Sequence, residues 1–213
     1  MGRKQPLRSR LLLLVALIAV GLLAQVPSAV RAEKEAQSPH IVVLGDSIAA
    51  GPHAFPTLLS KRLGLPVVNS SIPGDTTYEG LERLNRLLAG SPRLVMVELG
   101  ANDLETHESR CATARNLSYI FGRARAAGAA VMFLDVCPPG MANARDVWRP
   151  VCQTRGVFYV HDILEGLDRR TQLNPDHEHP TDAGHVELAR RLAPLVRGVL
   201  ATTATDGTTA FDL

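Results

Sequence analysis

From residue 40 onward the chain alternates short, mostly apolar runs with longer stretches in which apolar residues recur every three or four positions. The runs cover residues 40–45, 65–69, 93–98, 129–136 and 157–160 and are rich in Val, Ile, Leu and Phe. Runs of that length without polar alternation predict strands buried on both faces, the habit of parallel sheets. The longer stretches, 54–63, 78–89, 111–127, 141–155 and 181–200, predict helices. Leu81, Leu84, Leu87 and Leu88 share one face of the second. Val186, Leu188, Ala189, Leu192, Leu195, Val196 and Leu200 form the buried side of the last.

Punctuation fits this division. Pro56 falls in a first helical turn, where a missing N–H costs little. Gly64 and Gly128 stand where helices stop. Thr77 and Thr181 are the expected caps, and Gly80 three residues after Thr77 leaves no capping box. Pro150 and Pro194 are expected to disturb the helices that hold them. Residues 104–110 read as loop, 163–167 as a short helical turn, and 174–185 as a polar loop. Five strands alternating with helices over short connections predict a three-layer α/β/α domain, its five-stranded parallel sheet covered on both faces.

The first 40 residues break the pattern. Arg3, Lys4, Arg8 and Arg10 precede an apolar run of fourteen, Leu11 to Ala24, and Val30-Arg31-Ala32 has small residues at the spacing of a cleavage site. That order predicts a secretory signal peptide over 1–32, cut near Ala32, and a periplasmic or secreted protein. The run is short of the roughly 20 residues of a spanning helix, so no stable membrane insertion is expected after cleavage; an uncleaved anchor is the alternative. Residues 33–200 then form one domain, and Thr/Ala/Gly-rich 201–213 a flexible tail. The leader holds five of the 23 Lys/Arg and none of the 21 Asp/Glu, so its removal changes the net charge from +2 to −3. A mildly acidic chain argues against a nucleic-acid partner. Three cysteines cannot all pair with one another. Cys111 and Cys137 both fall toward the carboxyl ends of the strands and Cys152 toward the other edge, so a disulfide, if one forms, is expected between Cys111 and Cys137.

The chemistry gathers at strand exits. Gly45-Asp46-Ser47 ends the first strand, Pro73-Gly74-Asp75 lies in the loop after the second, Gly100-Ala101-Asn102-Asp103 leaves the third, and Asp176-His177-Glu178-His179 precedes the last helix. Strands of a parallel sheet share one exit edge, where ligands bind. One site can therefore collect Ser47, Gly74, Asn102 and His179. Acyl transfer needs that set: a nucleophile, a base with its orienter, and oxyanion donors. Each residue also has a plainer reading, Ser47 and Asn102 as caps, Gly74 and Asp176 as turn residues. His177-Glu178-His179 with His185 lacks the spacing of a zinc site.

Taken in order, these four blocks resemble those of the SGNH hydrolases, the GDSL esterase/lipase family, with Ile48 where Leu is usual. Residues 67–76, 78–84 and 97–103 are most similar to the thioesterase I/lysophospholipase L1 branch, whereas 104–112 and 137–142 depart from it. The resemblance implies a flavodoxin-like SGNH fold and a serine esterase working through an acyl-enzyme without cofactor or metal. It implies Ser47 as nucleophile, His179 as general base and Asp176 as its orienter. The oxyanion donors would be the N–H groups of Ser47 and Gly74 and the side chain of Asn102. His177 is the rival base; the family spacing and Pro180 behind it favour His179. Asp46, Asp75 and Asp103 read as structural groups bonding local N–H groups, and Asn69 as a loop buttress. Glu98, a charge inside a strand, is expected at a rim or paired with an arginine. The expected partner is a small acyl ester, thioester or lysophospholipid, and the expected state is a monomer. The alternatives are a carbohydrate O-deacetylase of the same fold and a non-catalytic envelope binding protein.

Overall fold

The computed structural model describes residues 41–106, 109–136 and 145–205. The strands are β1 (Ile41–Gly45), β2 (Val67–Asn69), β3 (Leu94–Glu98), β4 (Ala130–Leu134) and β5 (Phe158–Val160). The helices are α1 (Phe55–Leu63), α2 (Thr77–Leu88), α3 (Ala101–Glu105), α4 (Arg110–Ala126), α5 (Arg145–Arg155) and α6 (Asp182–Thr205). Every strand pair is parallel, and the order across the sheet is β2-β1-β3-β4-β5. The chain therefore changes direction across the sheet between β1 and β3, and a crevice opens outside their carboxyl ends.

Strand alternation divides the core in two. Ile41, Val43, Leu94, Met96, Met132, Leu134 and Val160 face one side, with Phe55 and Leu59 of α1 and Leu188, Leu192, Val196 and Val199 of α6. Leu44, Val95, Val97, Val131, Phe133 and Tyr159 face the other, with Leu84 of α2, Leu117 and Phe121 of α4 and Trp148 of α5. Phe133 is the hub of the second half, meeting Phe121 and Trp148 edge-on and stacking on Tyr159. Because both faces are covered, a strand with no polar alternation costs nothing.

Several local expectations change. The cap of α2 is Thr76, not Thr77, and the one-residue shift makes Glu79 the third helical residue, so a capping box closes after all. Of the stretch 104–110, read as loop, residues 104 and 105 belong to the short helix α3, which also carries Asn102 and Asp103. Both α5 and α6 run through their prolines, held by apolar faces on either side of Pro150 and Pro194. Residues 163–166 form the expected short turn, with Leu167 N donating to Leu164 O. Val186 is exposed, and Ala193 and Val199 complete the buried stripe of α6 instead. That helix continues to Thr205, into the stretch read as tail. Thr181 does cap it, accepting from Gly184 N.

The leader 1–32 and residues 206–213 lie outside the described residues. So does Cys137, and with it the Cys111–Cys137 pairing; Cys111 itself is exposed in the first turn of α4. No helix among the described residues is long and apolar enough to cross a membrane.

Candidate active site

The exit of β1 is a turn held from several sides. Asp46 is 1 % exposed, and its Oδ1 accepts from the N–H of Ile48 at 3.1 Å, closing a bracket around Ser47. The N–H of Asp46 donates to Glu98 Oε2 at 3.2 Å, across from β3. Asn69 Nδ2 donates to Ala49 O at 2.8 Å, so the end of β2 buttresses the far side of the turn, as the sequence suggested for Asn69.

Gly100, at φ 121°, turns the chain sharply out of β3, and a Cβ there would sit 3.3 Å from the Trp148 ring. Only glycine takes both that dihedral and that approach without strain. The turn starts α3 with Asn102 facing the β1 exit: its Nδ2 donates to Asp46 Oδ2 at 3.1 Å and to Asp75 O at 3.0 Å. The loop 70–76 is thereby drawn onto Asn102. Asp75 also pairs with Arg83, which donates to Ser70 O. Asp103 accepts from the N–H and the hydroxyl of Thr77, at the start of α2. Of the three structural aspartates, only Asp46 bonds a local N–H; Asp75 and Asp103 reach across elements. Gly74 is exposed at φ 83°. Among the described residues, nothing accepts a hydrogen bond from the N–H of Ser47 or of Gly74.

The third component is the loop before α6. An antiparallel bridge between Leu173 and Pro180 closes its base, and Asn174 N donates to His179 O. Asp176 Oδ1 accepts the N–H groups of Glu178 and His179, each at 2.9 Å. Its Oδ2 lies 3.1 Å from His179 Nδ1, and His179 Nε2 lies 2.9 Å from Ser47 Oγ. The two N–H groups, first that of Glu178, hold the Asp176 carboxyl below the usual carboxylate range, so it stays ionised. His177 takes a left-handed backbone, φ 61°, and helps line a separate cavity of about 300 Å³ with Val136, Leu164, Arg169 and Glu178.

Electrostatically the two ends differ. Burial raises Asp46 to about 6, and burial followed by the Asp46 charge pushes Glu98 well above its ordinary value. Glu98 is thus not at a rim, and among the described residues no arginine pairs with it; it is 1 % exposed against Asp46. Among the described residues no three His, Cys, Asp or Glu side chains are placed to hold a metal ion.

Residues 43–186 match the model of the GDSL-like Lipase/Acylhydrolase family. The chain belongs to that family. It is 32% identical over 209 residues to the esterase TesA of Pseudomonas aeruginosa, a match covering 90% of this chain and all of that one. Thioesterase 1/protease 1/lysophospholipase L1 of Escherichia coli is 36% identical over 113 residues, 49% of this chain and 54% of the relative. A crystal structure of TesA superposes with a TM-score of 0.69 at 32% identity, covering 75% of this chain and 98% of that one. The protein is accordingly an ester hydrolase of the SGNH/GDSL type.

In this hydrolase the structure brings Ser47, Asn102, Asp176 and His179 together and sets the Gly74 loop against Asn102. A second polar network beside the β4 exit escaped the sequence reading. Asp135 is fully buried, and its Oδ2 accepts from Arg145 Nε and Tyr159 Oη, each at 2.7 Å. Arg145 also bonds Asp162 Oδ2 at 2.6 Å, tying α5 to the ends of β4 and β5. Burial, then the bond to Asp135, drives the Tyr159 phenol far above its usual value, so it remains a donor. The only hint in the sequence was an aspartate directly after an apolar run, the same signal that marks Asp46.

Proposed function

We propose that this esterase is an exported serine hydrolase that cleaves acyl esters or thioesters through an acyl-enzyme on Ser47. One observation carries the reading: an unbroken line of contacts from Asp176 through His179 to Ser47 Oγ, at 3.1 and 2.9 Å. His179 takes the Ser47 proton at Nε2 as Oγ attacks the substrate carbonyl. Asp176, ionised, keeps the Nδ1 proton in place and stabilises the imidazolium. The oxyanion of the tetrahedral intermediate is received by the N–H groups of Ser47 and Gly74, which are otherwise unengaged among the described residues. Asn102 supplies the third donor by turning one N–H from Asp75 O to the oxyanion, while its bond to Asp46 holds the amide in register. His179 then protonates the leaving alcohol or thiol, and water attacks the acyl-enzyme by the same route.

Export rests on the leader, 1–32, with its basic, apolar and small-residue segments in order, and gives a periplasmic or secreted enzyme. The names of the relatives, an esterase and a thioesterase/lysophospholipase, support acyl esters, thioesters and lysophospholipids as the substrate range.

The test is a p-nitrophenyl ester series from acetyl to palmitoyl with the wild type, Ser47→Ala, His179→Ala and His177→Ala. Ser47→Ala and His179→Ala should each lower kcat by about 10⁴-fold or more, and His177→Ala by less than about threefold. A fluorophosphonate should label the wild type on Ser47. A Ser47→Ala protein as active as the wild type would end the nucleophile reading; activity confined to acetyl esters would move the substrate toward O-acetylated carbohydrate.

A further inference from the structure

Glu98 ends β3, and a carboxyl group is costly in a strand position that is 1 % exposed. Among the described residues no lysine or arginine accounts for it; its partners are on Asp46. The register sets Glu98 beside Gly45 across the β1–β3 pair. A Cβ at Gly45 would stand 2.8 Å from Glu98 Oε2, so the missing side chain there is the space the carboxyl occupies. Oε2 accepts the N–H of Asp46 at 3.2 Å. The Asp46 oxygens in turn hold Ile48 N, just beyond Ser47, and Asn102 Nδ2.

We infer that Glu98 is a positioning residue of this active site: bonded to the main chain of Asp46, it holds the Ser47 turn and, through Asp46, the Asn102 amide in one frame. The inference rests on the reading of Ser47 as nucleophile and of Asn102 as oxyanion donor. Two acids share a buried space only when one of them is neutral. Burial, then the Asp46 charge, pushes Glu98 well above its ordinary value and so favours its neutral form. The charges that bear on the pair are Asp46 itself, from the β1 exit, and His179 and Glu178, from the loop before α6, which act on Asp46 with opposite sign. Once Glu98 ionises, two like charges face each other across the turn that carries Ser47, and the turn and the amide no longer share one frame.

The experiment is kcat and KM from acid to alkaline pH for Glu98→Leu and Glu98→Gln in the full chain, beside the wild type, with fluorophosphonate labelling and melting curves. Leucine fills the space without an acceptor or donor; kcat should fall about 10²-fold with KM within about threefold. Glutamine keeps the acceptor for the Asp46 N–H and stays neutral at every pH. It should restore kcat at neutral pH and hold it on the alkaline side, where the wild type declines. A folded Glu98→Leu protein with wild-type kcat overturns the inference, as does Glu98→Gln as poor as Glu98→Leu. Superimposable pH profiles of wild type and Glu98→Gln also overturn it, even where the leucine variant does not fold. A wild type that takes no label on Ser47 fails the nucleophile reading first, and is told apart from these by labelling alone.

Discussion

The turn that carries Ser47 and the loop that carries His179 meet at a 2.9 Å contact, yet they are held by different means. The Ser47 turn is buried, and its partners come from far along the chain: Glu98, Asn102 and Asn69. The His179 loop is open to solvent, with the Asp176 side chain 48% and the His179 side chain 38% exposed. Its bonds are local, spanning two or three residues around Asp176. A buried network gains strength from the low dielectric but leaves orphaned groups when one member goes. A solvated local network loses little stability when cut, because water replaces the partner. The nucleophile side is thus bound up with the stability of the fold, and the base side is separable from it.

The sharpest break in that comparison would come from Asp176→Ala. It should lower kcat by about 10⁴-fold, through loss of the imidazole's orientation, while the melting temperature stays put. A large fall in melting temperature would show that the base loop is as integral as the turn.

Next in size is Gly45→Ala. The new Cβ would press on Glu98 Oε2 at 2.8 Å and on Ser71 Oγ at 2.9 Å. Stability in urea should drop by about 1–3 kcal/mol, with kcat falling alongside it. A stable variant with normal kcat would mean that the turn and Glu98 yield freely.

The smallest effect is on how stability varies with pH. Asp46 and Glu98 have folded values raised above 3.8 and 4.5, so the stability they confer is complete below those values and is lost as pH rises through the folded ones. His185, on α6, runs the other way. Burial lowers it from 6.5, so its contribution is present above 6.5 and is lost as pH falls toward the folded value. Glu98→Gln removes the Glu98 part of the first dependence and leaves that of Asp46, whose rise comes first from its own burial. The melting temperature of that variant should gain on the wild type as pH rises, by a few degrees on the alkaline side. Parallel melting curves would show that the pair carries no pH-dependent stability.

Local signals were legible where cause and effect lie within a few residues. The spacing of three between Asp176 and His179 sufficed to put carboxylate and ring together, because a tight turn closes over that distance. The five strands were visible as apolar runs because both sheet faces are covered. Thr76 shows how narrow the margin is: its capping box with Glu79 was present in the sequence but hidden by a cap placed one residue late. Glu98 was visible as an anomaly, but its explanation was not, since its partner Asp46 is 52 residues away.

The order of residues alone implies that strands and helices alternate, that polar blocks fall at strand exits, and which serine, histidine and aspartate compete for the site. The order β2-β1-β3-β4-β5, and with it the adjacency of β1 and β3, emerges from the folded packing. That adjacency faces Glu98 with Gly45 and Asn102 with Asp46. The same packing keeps Pro150 and Pro194 within helices and makes Asp135, Arg145 and Tyr159 converge. The reason is one of range. Propensity and turn chemistry act over a few residues, whereas the partner of a buried charge is chosen by which strands lie side by side once both faces of the sheet are packed.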